Sequence, residues 1–310
     1  MLALYIVLGV LASIIIGHFV TVYFLFKKFF GRISNKKIDK SISSTDYSAP
    51  YRDELFKIRD EMLKSNYEIV ETTSYDKIKL KAYYFNNNSD KTLIMCHGFH
   101  THAFINFGYA IKYFLKRHYN LLVISERAHD ISEGKYSTYG QKESKDILSW
   151  IDYVAKDETI KSIYLYGISM GATSIAYASP DIKEKKVKCL VLEGIFTSVD
   201  KLLNHLVSSK FLRVFLSKSG VGFLSTHLAG VKWNAPDTVD ALKKNKIPTI
   251  FVHGTKDIVA IKDFFDDNYN NCLSNKYQII VEGAPHALCA MHEKDKYLDK
   301  LETILGENNG

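Results

Sequence analysis

Cysteine is scarce in this chain, and charge is missing from its first stretch. Four cysteines occur among 310 residues, and Cys96, Cys189, Cys272 and Cys289 show none of the paired spacing that a zinc site or a disulfide framework requires. They read as small buried hydrophobes. No run of Lys and Arg is interleaved with aromatics, so the excess of seven positive charges is read as ordinary solvation, and nucleic acid is not an expected partner. No internal repeat is visible, and nothing suggests a second catalytic domain. Beyond its apolar start the chain has the length of one α/β domain with a sizeable core.

Residues 1–26 carry no charged side chain apart from His18 when protonated, and Leu, Ile, Val and Phe dominate. As a helix this segment would extend about 39 Å, enough to cross a hydrocarbon core of roughly 30 Å with some tilt. It is read as a transmembrane anchor. A cleaved signal peptide would need a basic n-region, a shorter apolar stretch and a small-x-small cleavage site, and none of these is present. A buried core helix is the remaining alternative. Lys27, Lys28, Arg32, Lys36, Lys37 and Lys40 follow, against Asp39 alone, and the positive-inside rule would keep this flank and the domain behind it on the cytoplasmic side. An anchor of opposite orientation would place the domain outside the cell. Residues 27–66 are read as a basic juxtamembrane linker with one short helix.

What is present begins with Gly167-Ile168-Ser169-Met170-Gly171, set between the apolar run Ile163-Tyr164-Leu165-Tyr166 and the helix-like Ala172-Thr173-Ser174-Ile175-Ala176. A strand, a tight turn and a helix raise a serine hydroxyl above the top of a sheet, and the glycines permit the sharpness of the turn. The five-residue pattern alone could be a glycine-rich turn with a capping serine. A nucleophilic serine also needs a base, a carboxylate and oxyanion donors. The run Ile247-Pro248-Thr249-Ile250-Phe251-Val252 leads into His253-Gly254-Thr255-Lys256-Asp257, which puts Asp257 just past a strand end. One strand further on, Tyr277-Gln278-Ile279-Ile280-Val281 leads into Glu282-Gly283-Ala284-Pro285-His286. The order Ser169, Asp257, His286 is the one that the nucleophile-elbow arrangement demands. His253 competes for the base but lies on the strand that delivers the acid, and it is read as structural. Glu193, after Cys189-Leu190-Val191-Leu192, competes for the acid and ranks below Asp257. Oxyanion donors are expected from the backbone N–H of Met170 and of Phe99, the latter in His97-Gly98-Phe99-His100 directly after the strand Thr92-Leu93-Ile94-Met95-Cys96. The Phe99 ring is expected to line an acyl pocket.

With these residues in place the chain resembles the α/β-hydrolase superfamily, and within it single-domain bacterial hydrolases with an N-terminal membrane segment. The resemblance covers residues 67–310 and rests on His97-Gly98, Gly167-Ile168-Ser169-Met170-Gly171, His253-Gly254 with Asp257, and Pro285-His286-Ala287, in family order. Arg127-Ala128-His129-Asp130-Ile131-Ser132-Glu133-Gly134 matches the family's Arg-x-His-Gly-x-Ser-x-Gly loop, with Asp130 where glycine is usual. Asp tolerates a left-handed backbone better than most residues, so the loop is expected to form with modest strain. The resemblance implies an ester, thioester or amide target and does not fix which.

Strands and helices alternate from residue 92 onward, which implies a mostly parallel sheet covered on both faces, preceded by an antiparallel strand pair at residues 67–73 and 78–85. Between residues 195 and 245 the pattern breaks. Leu202, Leu203, Leu206, Val207, Phe211, Leu212, Val214, Phe215, Leu216, Val221, Phe223 and Leu224 form helically spaced apolar clusters with no strand among them. This is where the family inserts a cap. The segment is read either as a lid that shapes a greasy pocket or as a helix packed on the sheet edge. The function expected is that of a membrane-anchored serine hydrolase of carboxylesterase, lipase or thioesterase type, with a small-molecule or lipid-like acyl ester as substrate, needing no metal or organic cofactor. A serine peptidase of aminoacyl or oligopeptide type and a silent membrane-tethered interaction module are the alternatives.

Overall fold

An unbroken helix, α1 (Leu2–Phe30), opens the computed structural model, which describes residues 1–34, 39, 46–207 and 220–308. At 1.5 Å per residue its length is about 44 Å. It is long and apolar enough to cross a membrane, and its side chains are exposed as far as Thr21. A short turn at Asp46–Tyr51 leads to α2 (Arg52–Leu63). Then come β1 (Glu68–Thr73), β2 (Lys79–Phe85), β3 (Lys91–Cys96), α3 (Ala103–Leu115), β4 (Asn120–Ile124), α4 (Glu143–Ala155), β5 (Ser162–Ile168), α5 (Met170–Ala178) and β6 (Val187–Glu193). The chain continues through α6 (Val199–Leu206), α7 (Gly220–Leu224), α8 (Thr238–Leu242), β7 (Thr249–Gly254), α9 (Lys262–Asn271), β8 (Lys276–Val281), α10 (Cys289–Glu293) and α11 (Asp295–Glu307).

The strands form one sheet in the order β1-β2-β4-β3-β5-β6-β7-β8. β2 runs antiparallel to both β1 and β4, and every later pairing is parallel. Side-chain direction follows the pleat. Tyr164, Tyr166 and Ile168 of β5 point into a core shared with Phe104, Phe107 and Ile111 of α3 and Leu298 and Leu301 of α11. Ile163 and Leu165 point to the opposite core, built with Ile147, Trp150, Ile151 and Val154 of α4 and Ile175 of α5. The i, i+3, i+4, i+7 spacing in α4 makes the apolar stripe that seats it on the sheet. Both faces of the central strands are therefore dry, and β4 and β5 are buried throughout and mostly apolar.

A third cluster lies above the strand C-terminal ends. Val22, Phe26 and Phe30 of α1 pack there with Tyr139, Met170, Phe196, Val221 and Trp233. The basic linker, read as starting at residue 27, therefore starts later. Residues 27–30 continue the helix, Phe30 is fully buried, and Gly31 bridges to Tyr136. The interval 195–245 contains α6, α7, a single π-turn at Ser225–Ala229, and α8. Leu202, Leu203 and Val221 are buried in the third cluster, in which the Gly220–Leu224 helix packs against Val22 of α1. Phe211, Leu212, Val214, Phe215 and Leu216 lie outside the described residues. All four cysteines are free and buried.

Candidate active site

Ser169 sits at the junction of β5 and α5 with φ 55° and ψ −113°, a backbone conformation that L residues seldom adopt. The close approach of neighbouring backbone dictates the glycines around it. A Cβ on Gly171 would lie 1.9 Å from the Cys96 carbonyl oxygen, and one on Gly167 would lie 2.5 Å from the Ala172 nitrogen. No other residue fits either place. The turn is held because the Ser169 N–H donates to the Glu193 carbonyl at 2.8 Å on the neighbouring strand.

The structure brings Ser169, Asp257 and His286 together at one rim of the sheet, although 117 residues separate the serine from the histidine. The Ser169 hydroxyl lies 2.9 Å from His286 Nε2, and His286 Nδ1 lies 2.7 Å from Asp257 Oδ2. The other Asp257 oxygen accepts the N–H groups of Val259 and Ala260, at 2.9 and 2.8 Å. A carboxylate so held presents its second oxygen to the imidazole, which fixes the proton on Nδ1 and leaves Nε2 free to accept from the serine. All three side chains are largely buried.

The two competitors are placed elsewhere. Glu193 is fully buried below the rim, where it accepts from Tyr166 Oη at 2.5 Å, Tyr297 Oη at 3.2 Å and the Cys289 N–H at 3.1 Å. Burial pushes its carboxyl up from the ordinary value, and the Tyr166 hydroxyl partly offsets this. His253 tilts against the Phe265 ring at 5.3 Å, and its imidazole is held below its ordinary pKa by burial.

The loop after β3 is pinned on both sides of Phe99. The Gly98 N–H donates to Asn106 Oδ1 at 2.8 Å, and the His100 N–H donates to His129 Nε2 at 3.0 Å. Phe99 N–H and Met170 N–H have no acceptor among the described residues. Two fixed donors beside a serine hydroxyl are what a developing oxyanion requires. Neutral histidines stabilise this loop. Burial pulls His97 and His100 down to about 4, and His129 well below its ordinary value, so each keeps one tautomer. His97 accepts the Glu126 N–H on Nε2 and donates from Nδ1 to the Gly98 carbonyl, at 3.0 and 2.7 Å.

The loop with the unusual aspartate does adopt the left-handed region. Asp130 has φ 32° and Ala128 has φ 61°. The Asp130 carboxylate then takes work that a glycine could not do. It accepts from Tyr83 Oη at 2.5 Å and pairs with His102 Nε2 at 3.3 Å.

A cavity of about 660 Å³ opens onto Ser169 and His286. Phe99 lines it as expected, stacked between His100 at 3.6 Å and Tyr139 at 4.6 Å. Sequence reasoning missed Asn106, which orders Gly98, and Tyr47, whose ring meets His286 edge-on at 6.4 Å. Burial first, and the Asp257 charge second, push the Tyr47 phenol up to about 12. Asn106 carries a weak signal as the one amide in a mostly apolar helix. Tyr47 carries none, since only the folded chain brings it over the rim. Among the described residues, no group of His, Cys, Asp and Glu is arranged to hold a metal.

Comparison with known proteins bears on this geometry. A family model described as alpha/beta hydrolase fold matches residues 91–218, which include β3, the Phe99 loop and Ser169. The esterase Pf2001 of Pyrococcus furiosus superposes with a TM-score of 0.64 at 23% identity, over 81% of this chain and 96% of that one. The esterase EaEST of Exiguobacterium antarcticum superposes with a TM-score of 0.59 at 18% identity, over 76% of this chain and 99% of the other. In sequence the chain is similar to the uncharacterized protein YqkD of Bacillus subtilis (strain 168), at 23% identity over 88% of this chain and 89% of that protein.

Proposed function

We propose that this chain, which has the α/β-hydrolase fold, is a serine hydrolase that cleaves an ester-type bond through an acyl-enzyme on Ser169. One observation carries the reading, the continuous Ser169, His286, Asp257 hydrogen-bond chain of 2.9 and 2.7 Å. The Ser169 oxygen attacks the carbonyl carbon while its proton passes to His286 Nε2. The carbonyl π electrons move to oxygen, where the N–H groups of Phe99 and Met170 hold the negative charge. Asp257 stabilises the imidazolium and does not itself take the proton. As the carbon–oxygen bond to the leaving group breaks, that group takes the proton from Nε2 and departs as an alcohol, or as a thiol from a thioester. Water then gives a proton to Nε2 and adds to the acyl carbon. Ser169 leaves reprotonated, and a carboxylic acid is released.

In this reading α1 anchors the enzyme in a membrane, with the basic flank at Lys27, Lys28 and Arg32 favouring the cytoplasmic face. The apolar lining contributed by Leu55, Ile105 and Leu288 supports an acyl rather than a sugar or peptide substrate. A fluorophosphonate probe tests the nucleophile: the wild-type chain takes the label and Ser169→Ala does not. A panel of nitrophenyl esters of graded acyl length, set against aminoacyl anilides, tests the bond type. Label that persists in Ser169→Ala removes the serine mechanism, and anilide turnover above ester turnover favours a peptidase.

A further inference from the structure

The cavity over Ser169 is bounded on one side by the end of the N-terminal helix itself. Phe24, Lys27, Lys28 and Phe29 of α1 line it, together with Gly31 and Arg32 just beyond. On the rest of the helix circumference Val22, Phe26 and Phe30 are buried against the domain. The helix thus presents two faces over its last turns, one that docks it and one that borders the site. Phe24 belongs to the uncharged stretch and is 67% exposed, while Lys28 lies four residues on, about 6 Å along the axis. The cavity therefore runs from the serine, past a pair of lysines, to the Phe24 ring at the end of the uncharged stretch.

The lysines are available. Among the described residues no carboxylate pairs with either one, although Lys27 stands 5.4 Å from the Tyr136 ring and Lys28 stands 5.9 Å from the Phe29 ring. An ammonium pair with no carboxylate partner among the described residues, set between the Phe24 ring at the uncharged end of the cavity and the nucleophile at the other, matches a molecule with an apolar chain, an ester and a negative charge close to that ester.

We infer that α1 is a wall of the substrate passage as well as an anchor, and that the substrate is an acyl ester lipid with an anionic headgroup, drawn from the bilayer along Phe24 and Phe29 and selected by Lys27 and Lys28. This rests on the serine hydrolase reading. The chain slides out along the helix, the ester rises to Ser169, and the headgroup charge stays with the lysines.

The test uses the full-length chain reconstituted in vesicles of diether phosphatidylcholine, which offers no ester. The vesicles carry a long-chain monoacylglycerol phosphate or the neutral monoacylglycerol of the same chain. The expected result is a kcat/KM roughly ten-fold higher for the anionic lipid. The Lys27→Gln, Lys28→Gln double variant should bring that ratio close to unity, and the double arginine variant should keep it. Equal turnover of the two lipids, or a preference that survives loss of both lysines, overturns the inference. So does a short-chain acylglycerol phosphate in free solution that is cleaved as fast as the long-chain lipid in vesicles, since the bilayer route would then do nothing. Failure of the underlying reading looks different: a short nitrophenyl ester stays intact and the fluorophosphonate leaves Ser169 unlabelled in the same preparation.

Discussion

Replacing Asp257 by Asn separates the proposed mechanism from its nearest rival within the same site. In the wild type Oδ1 is committed to the N–H groups of Val259 and Ala260, and Oδ2 receives the His286 Nδ1 proton. An asparagine has one acceptor oxygen to serve both places. The pair of backbone donors would keep it, which turns the amide NH2 toward His286. Nδ1 must then accept, the imidazole proton moves to Nε2, and Ser169 loses the lone pair that should take its proton. Wrong-tautomer variants of such triads lose about ten-thousand-fold in kcat, or about 5.5 kcal/mol of transition-state stabilisation. Burial of the pair and a contact of 2.7 Å place Asp257→Asn at that end of the range, with a loss of at least about a thousand-fold expected. The assay is kcat/KM on a short nitrophenyl ester, with a melting curve to show that the fold is intact. Glu193→Gln is the companion measurement. It disturbs three buried hydrogen bonds and should cost about 1–3 kcal/mol of stability. Its kcat/KM should stay within about three-fold of wild type, since the carboxyl does not touch His286. An Asp257→Asn enzyme that keeps more than about a tenth of its activity, or a Glu193→Gln enzyme that loses a thousand-fold, refutes the assignment of the acid.

Two further outcomes follow from single contacts. Gly171→Ala drives a methyl to 1.9 Å from the Cys96 carbonyl oxygen, and since both atoms belong to rigid backbone, about 3 kcal/mol of destabilisation should appear as a lower melting temperature together with lost labelling of Ser169. Glu126 is fully buried, and neither carboxyl oxygen has a hydrogen-bond partner among the described residues. Burial above all, with Glu143 and Asp146 adding to it, raises its pKa well above 4.5. The folded chain therefore holds this proton more tightly than the unfolded chain, so the stabilisation is complete below the unfolded value and is lost as pH rises toward the folded one. Glu126→Gln should flatten the fall in melting temperature between about pH 5 and pH 8, and an unchanged slope would show that other groups govern it.

Periodicity made most of the sheet legible. The apolar runs that end at Ile168, Glu193 and Gly254 are buried strands for a plain reason: a parallel strand covered on both faces has no polar side to reveal, so composition and length mark it. The elbow was legible because its glycines answer to backbone contacts within a few residues. Asp257 and His286 were legible because each follows a strand end. Tyr47 and Asn106 were not, since their roles depend on where a distant segment comes to rest. The docking of α1 was hidden for a sharper reason. Leu, Ile, Val and Phe serve equally well against lipid and against protein, so the exposed run up to Thr21 and the residues Val22, Phe26 and Phe30 that face the domain look alike in sequence. Helices α9, α10 and α11 went unassigned because charged and amide residues interrupt their apolar spacing. Their buried stripes, such as Leu298, Leu301 and Leu305 of α11, show only once the sheet supplies the opposite face.

The helix end and the Phe99 loop are one mechanical unit, and the reason lies in helix chemistry. An α-helix leaves its last carbonyls without partners, and those of Phe29 and Phe30, with that of Gly31 just beyond, are taken up by the domain. Tyr139 Oη donates to the Phe29 carbonyl at 2.8 Å, the Ser137 N–H to the Phe30 carbonyl at 2.9 Å, and His100 Nε2 to the Gly31 carbonyl at 3.0 Å. Tyr139 and His100 are also the two rings that sandwich Phe99. The same side chains thus cap the helix and hold the residue whose N–H is proposed to stabilise the oxyanion. His100 can donate to Gly31 in this way while its backbone N–H is bonded to His129, so neither contact competes with the other. A domain cut free of α1 would lose the two hydrogen bonds to the Phe29 and Phe30 carbonyls and expose Met170, Tyr139 and Trp233 where Phe26 and Phe30 now cover them. A flexible tether would leave the site indifferent to where the helix lies, whereas a helix whose end is bonded by the side chains that hold Phe99 makes its position a geometric input to the site.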